Sequence, residues 1–205
     1  MMRPVQVASV GFTSLLGALL GYDIGIISGA IIFIRDDLGL STRQAEVVVG
    51  SLNLVSALGA LVVGSLADRL GRKGAIALAQ LLFVAGTLTM VLSSAFAGLL
   101  VGRILMGLGV GCGFVVGPLY AAELSPPPLR GMFTSLFEVA IGLGILLGYA
   151  VAYVCRDMPL DTGWRVMVGC GGVPPLVSLL LLALLPESPR FLWAIWWEVP
   201  PLPCG

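Results

Sequence analysis

The chain is 205 residues long, 58% hydrophobic and 11% charged, with a formal net charge of zero and no histidine. Soluble domains are about a quarter charged, so this composition, with a mean hydropathy of +1.05, belongs to the membrane class. Zero net charge leaves no basic footprint for nucleic acid, and the lack of histidine excludes His-based acid–base catalysis, His-ligated metals and the HExxH zinc site.

A spanning helix needs about 20 mainly apolar residues. The first such run is Val7–Ile34. Its opening, MMRPV, has the look of a signal peptide, but the run is too long and five more follow, so a retained span is expected. Gly17, Gly21, Gly25 and Gly29 recur every fourth residue along it, a stripe that lets helix backbones approach closely in lipid. Asp23, in GYDIGIISGA, falls on the opposite face, so the helix packs on one side and points its acid elsewhere.

After the polar break RDDLGLSTRQ comes Ala45–Leu66, which carries the only asparagine, Asn53. The basic break ADRLGRKG leads to Ala75–Ser94. A bare Ser-Ala turn precedes Phe96–Ala122, a glycine-rich run holding Arg103. ELSPPPLRG leads to Phe133–Val154, opened by Glu138, and CRDMPLDTGWR leads to Val166–Leu185. With a cytoplasmic N-terminus, that side holds Arg3, Arg69, Arg72, Lys73, Arg130 and Arg190, and the other Arg35, Arg43, Arg156 and Arg165. The bias has the sign the positive-inside rule requires.

Three ionisable groups lie inside spans: Asp23, Arg103 and Glu138. Each costs roughly 2.5–3.5 kcal/mol at mid-membrane, so such groups face the bundle interior or a wet cavity, and pair. Asp23 and Arg103 are natural partners. A carboxylate whose proton affinity changes as its arginine comes and goes is a proton-coupling device; the alternative is a static salt bridge between two helices. Glu138, Asn53, Tyr120, Tyr149 and Tyr153 offer hydrogen bonds to a polyhydroxylated ligand, although tyrosines in such positions also serve as interfacial anchors or core. None of the four cysteines, Cys112, Cys155, Cys170 and Cys204, forms a CxxC pair. Cys112 and Cys170, inside apolar runs, are expected as small buried hydrophobes. One asparagine cannot supply the two NPA motifs of a water channel, no GxxxxGK[ST] loop is present, and no Arg-rich helix suggests voltage sensing.

Five strings in order, GYDIGIISGA, GSLADRLGRKG, GRILMGLGVG, PLYAAELSPPPLRG and PESPR, resemble the sugar porter family of the major facilitator superfamily. FTSLFEVAIGLGILLGY is most similar to the plant polyol/monosaccharide–proton symporters within it. The resemblance implies an all-α membrane protein: six transmembrane helices forming the N-terminal half of a major facilitator fold, a 3+3 inverted repeat. It implies proton-coupled symport of a polyol or monosaccharide, no enzymatic activity and no cofactor beyond protons as the coupling ion. Asp23 would take and release the proton with Arg103 as its partner, and Glu138 would touch the substrate in place of the glutamine usual in hexose carriers. Gly64, Asp68, Arg69, Gly71, Arg72, Glu123, Arg130, Glu187 and Arg190 would form a cytoplasmic gate. The implied partners are a small-molecule sugar or polyol and membrane lipid, and the implied site is the plasma membrane rather than the vacuolar membrane. The family has a second six-helix half, whereas here the text after FLW reads AIWWEVPPLPCG. Residues 1–192 are therefore expected to be a six-helix bundle and 193–205 a divergent tail from truncation. Passive facilitation, and a non-transporting half-carrier that pairs with another carrier copy, stay open.

Overall fold

Apolar runs with no water to satisfy their backbone must close their hydrogen bonds within the segment, and here they do so as helices. The computed structural model describes residues 4–185, 187–188, 191 and 193. Arg3, Arg190 and all of the tail except Trp193 lie outside the described residues. The helices are α1 (Pro4–Leu38), α2 (Thr42–Val91), α3 (Phe96–Leu124), α4 (Arg130–Val154), α5 (Leu160–Cys170) and α6 (Val173–Leu184), with no strand among the described residues.

The six expected spans are distributed differently over these six helices. α2 carries the second and third. A straight helix of 50 residues would be about 75 Å long, more than twice a bilayer core. It is not straight: Gly71 breaks it with φ 81° and ψ 166°. Gly59, before the break, packs on Leu108 and Gly111, while the carbonyl of Ala79, after it, faces Gly109. Residues 59 and 79 of a continuous helix would lie about 30 Å apart, yet both meet the same turn of α3, so the chain reverses at Gly71. The expected loop ADRLGRKG is thus helical on both sides of one residue.

The sixth span is also corrected. It begins earlier than Val166, at Leu160, and is broken into α5 and α6 at Gly171 and Gly172. Pro174 and Pro175 lack the N–H groups that a continuous helix would need from them, and they sit where a new helix tolerates proline. Cys170, at this break, is exposed, contrary to expectation, whereas Cys112 and Cys155 are buried. Within the first polar break, Gly39 (φ 60°) follows the end of α1, and Ser41 with Gln44 closes a capping box at the start of α2.

Two helix pairs build the bundle through small residues. In the first, α1 lays its glycine stripe on α4: Gly17 meets Phe137, Gly21 meets Ile141, Gly25 meets Ile145 and Gly29 meets Ala152. In the second, Gly107 and Gly111 of α3 meet Leu52 and Ser56 of the first arm of α2. Numbers rise together in both pairs, so each is parallel. Exchanging the first three spans with the last three maps one pair onto the other, as an inverted repeat requires.

Gly71 combines two constraints. Its φ/ψ lie in a region that side chains avoid, and an added Cβ would stand 2.8 Å from both Glu187 Oε2 and the Phe191 ring. Gly71→Ala is expected to cost roughly 2–3 kcal/mol, read as a lower unfolding midpoint in detergent; an unchanged midpoint would show that the turn has room to rearrange.

Candidate functional site

The glycine stripe of α1 turns Asp23 away from α4 and toward α3. There Arg103 Nη1 donates to both carboxylate oxygens, at 3.3 Å to Oδ1 and 3.2 Å to Oδ2. Asp23 is 3% exposed and Arg103 1%. One nitrogen serves both oxygens, so the guanidinium fork is not fully used: Nε and Nη2 of Arg103 are buried without a hydrogen-bond partner. The pair is closed, but it leaves donors unsatisfied.

Glu138 stands apart from this pair. It is exposed on α4, in one stripe with Gly142, Leu146, Tyr149 and Tyr153. The opposite stripe, Phe137, Ile141, Gly144 and Gly148, is the one buried against α1. Glu138, Tyr149 and Tyr153 thus share a face that the described helices leave open. Asn53 is exposed on the first arm of α2, whereas Tyr120 is fully buried beside Phe12 and belongs to the core.

Several of the residues expected to form a cytoplasmic gate gather at one end. Arg72 binds Asp68 Oδ1 at 3.1 Å and Glu123 Oε1 at 3.2 Å, and also donates to the carbonyl of Ala67. Glu187 Oε1 accepts from the backbone N–H of Lys73 at 3.1 Å. Arg130 Nε donates to the carbonyl of Ala122 at 3.0 Å, tying the start of α4 to the end of α3. Gly64 and Arg69 are exposed and stand outside this network as described, and Arg190 lies outside the described residues. The network joins the turn of α2, the end of α3 and the segment after α6.

Sequence reasoning missed four participants. Ser188 donates to Glu123 Oε2, and the Lys73 amine donates to the carbonyl of Leu185. At the opposite end, Trp164 Nε1 donates to Asp37 Oδ2 at 2.9 Å, and Tyr22 donates to the carbonyl of Met167 at 2.9 Å. Only the polarity of these residues beside apolar runs could have flagged them; their partners are 65 or more positions away.

The family described as "Sugar (and other) transporter" matches residues 10–196. The chain belongs to the sugar transporter family. Like its members it is an integral membrane protein, and its fold is the N-terminal half of a major facilitator transporter. Among curated relatives of this family it is 43% identical to a probable polyol transporter 4 of Arabidopsis thaliana, over 93% of this chain and 36% of that protein. It is 41% identical to a D-xylose transporter of Levilactobacillus brevis, over 93% of this chain and 42% of that protein. Among solved sugar transporters, the proton:xylose symporter XylE of the major facilitator superfamily superposes with a TM-score of 0.86 at 28% identity, over 93% of this chain and 46% of that one. An inward-open, partially occluded XylE from E. coli gives 0.85 at 26%, over 93% and 52%. The chain therefore spans roughly a third to a half of the length of these sugar transporters.

Proposed function

We propose that this chain carries the proton-coupling half of a plasma-membrane symporter for a polyol or monosaccharide. The observation that carries the reading is the ion pair Asp23–Arg103, closed at 3.2 Å near the middle of α1 and sealed from solvent. Arg103 is the partner of this carboxylate in the closed arrangement. Protonation releases the arginine and biases the bundle toward a second arrangement, which is coupling by population shift. Protons are the coupling ion, and no other cofactor enters this reading. The kinship with polyol and xylose transporters supports the substrate class. Glu138 is the proposed substrate contact, on a face lined by two tyrosines. The network of Arg72, Glu123, Glu187, Asp68 and Arg130, built around the turn at Gly71, is the proposed cytoplasmic gate; Gly64, Arg69 and Arg190 are proposed with it on sequence alone.

The face of α4 bearing Glu138, Tyr149 and Tyr153, which the described helices leave open, favours a second reading: a half-carrier that pairs with another carrier copy. Expression in cells lacking their own sugar carriers, with surface quantitation, tests both. On the first reading, uptake of labelled sorbitol or glucose rises at acidic outside pH, and Asp23→Asn removes that rise. Uptake whose acid dependence survives Asp23→Asn makes the carrier a passive facilitator with a structural salt bridge. Good surface expression without uptake, together with altered uptake by a co-expressed full-length relative, supports the half-carrier.

A further inference from the structure

Gln80 lies in the second arm of α2, within the apolar string ALAQLLF, and is 6% exposed. Its Oε1 is buried and has no hydrogen-bond partner. Among the described residues it is the one buried side-chain acceptor so left, and Arg103 Nε and Nη2 are unpartnered buried donors in the same bundle. Gln80 also lines a cavity of about 10 Å³, bounded by Leu16, Leu19 and Leu20 of α1 and by Gly109 and Gly113 of α3. That is about the space of one water molecule. Leu19 and Leu20 stand one helical turn from Asp23 on the same face of α1, and the cavity is walled by α3, the helix that carries Arg103. Gly109 brings α3 close to the second arm of α2 beside Gln80: an added Cβ would lie 2.6 Å from the carbonyl oxygen of Ala79.

A guanidinium stays charged at any working pH, so when Asp23 is neutral Arg103 needs another acceptor or is left as an unpaired charge in the bundle. We propose that Gln80 is this second acceptor, a positioning residue whose side-chain carbonyl receives Arg103 when Asp23 is protonated. The inference rests on the proton-coupling reading above. Tyr22, next to Asp23, is turned to α5 and bonded to Met167. Cys112 is a buried thiol on α3, Glu138 is exposed on α4 and Cys170 is exposed at the end of α5. The charges of α2 sit at its N-terminal end, Arg43 and Glu46, and around its turn, Asp68, Arg69, Arg72 and Lys73. α6 contributes none.

The test is an infrared titration of the purified chain in nanodiscs, following the carboxylic-acid C=O stretch that Asp23→Asn removes. It needs no transport. Gln80→Met keeps the shape and removes the acceptor; it is expected to move the Asp23 midpoint at least one unit to lower pH, a tenfold loss in proton affinity. Gln80→Glu, which offers Arg103 an anionic alternative, is expected to move it the other way. If Gln80→Met fails to fold, Gln80→Glu alone decides. A wild-type midpoint in every variant that folds overturns the role of Gln80 and leaves the coupling reading standing. The absence of any titrating band assigned to Asp23 overturns the coupling reading and this inference with it.

Discussion

Replacing Arg103 with Leu is expected to destabilise the bundle strongly, and replacing Asp23 with Leu more strongly still, by about 3–5 kcal/mol. The asymmetry follows from chemistry. A carboxylate stripped of its partner can take up a proton and become neutral, whereas a guanidinium cannot shed one. Arg103 is 1% exposed and already has two donors without partners, so losing Asp23 leaves its charge without a carboxylate, with at most the neutral amide of Gln80 to turn to. The double variant Asp23→Leu/Arg103→Leu is expected to recover most of the loss, because an apolar pair of suitable volume often matches or exceeds a buried ion pair in stability. The measurement is a double-variant cycle by detergent or thermal unfolding of the purified chain. Recovery in the double variant means that the pair is not there for stability, the outcome the coupling reading expects. A double variant as unstable as the worse single one would make the pair a structural lock.

Gly21→Val is expected to take the α1–α4 pair apart. An added Cβ at Gly21 would stand 2.0 Å from the carbonyl oxygen of Ile141 and 2.8 Å from its carbon, and neither backbone atom can rotate away as a side chain can. Gly144 approaches Ala18 equally closely from the other side, so the two helices must separate along their length. Gly17, Gly25 and Gly148 would then lose their contacts too, and in lipid no hydrophobic gain offsets that lost packing. The expected cost is at least about 3 kcal/mol. Gly142 is the control: it lies on the same helix with nothing within 4 Å of its Cβ position, so Gly142→Ala is expected to leave stability unchanged or slightly raised. Equal effects at the two positions would show that the close approach does not hold the pair.

Much of this protein was legible in the chain itself, wherever the cause is local or one-dimensional. Apolar length requires spans, because an unsatisfied backbone is intolerable in lipid. The four-residue glycine period marks the packing face of α1 and, by exclusion, the face of Asp23. An acid and a base within spans have to find each other, and Asp23 and Arg103 do. The basic cluster around Gly71 marks one end of the bundle, and Asp68, Arg72, Glu123 and Glu187 collect there.

Other features depend on residues distant in sequence, and only the tertiary structure decided them. The break at Gly71 is a single residue between two helical arms, and Glu187 and Phe191, more than a hundred positions on, stand over it. That Ser188 completes Glu123, and that Trp164 reaches Asp37, could not be read from either end of those pairs, since neither residue type announces its partner. Tyr120, on α3, belongs to the core beside Phe12, while Tyr149 and Tyr153 share an open face with Glu138 because the opposite stripe of α4 meets α1. Gln80 shows the limit most clearly. In sequence it is one amide in an apolar run; its meaning comes from standing beside a cavity, with its oxygen unmet, in a bundle where an arginine has donors to spare. Hydropathy and spacing act along one chain segment, whereas the matching of buried donors to acceptors is settled only when the helices are packed.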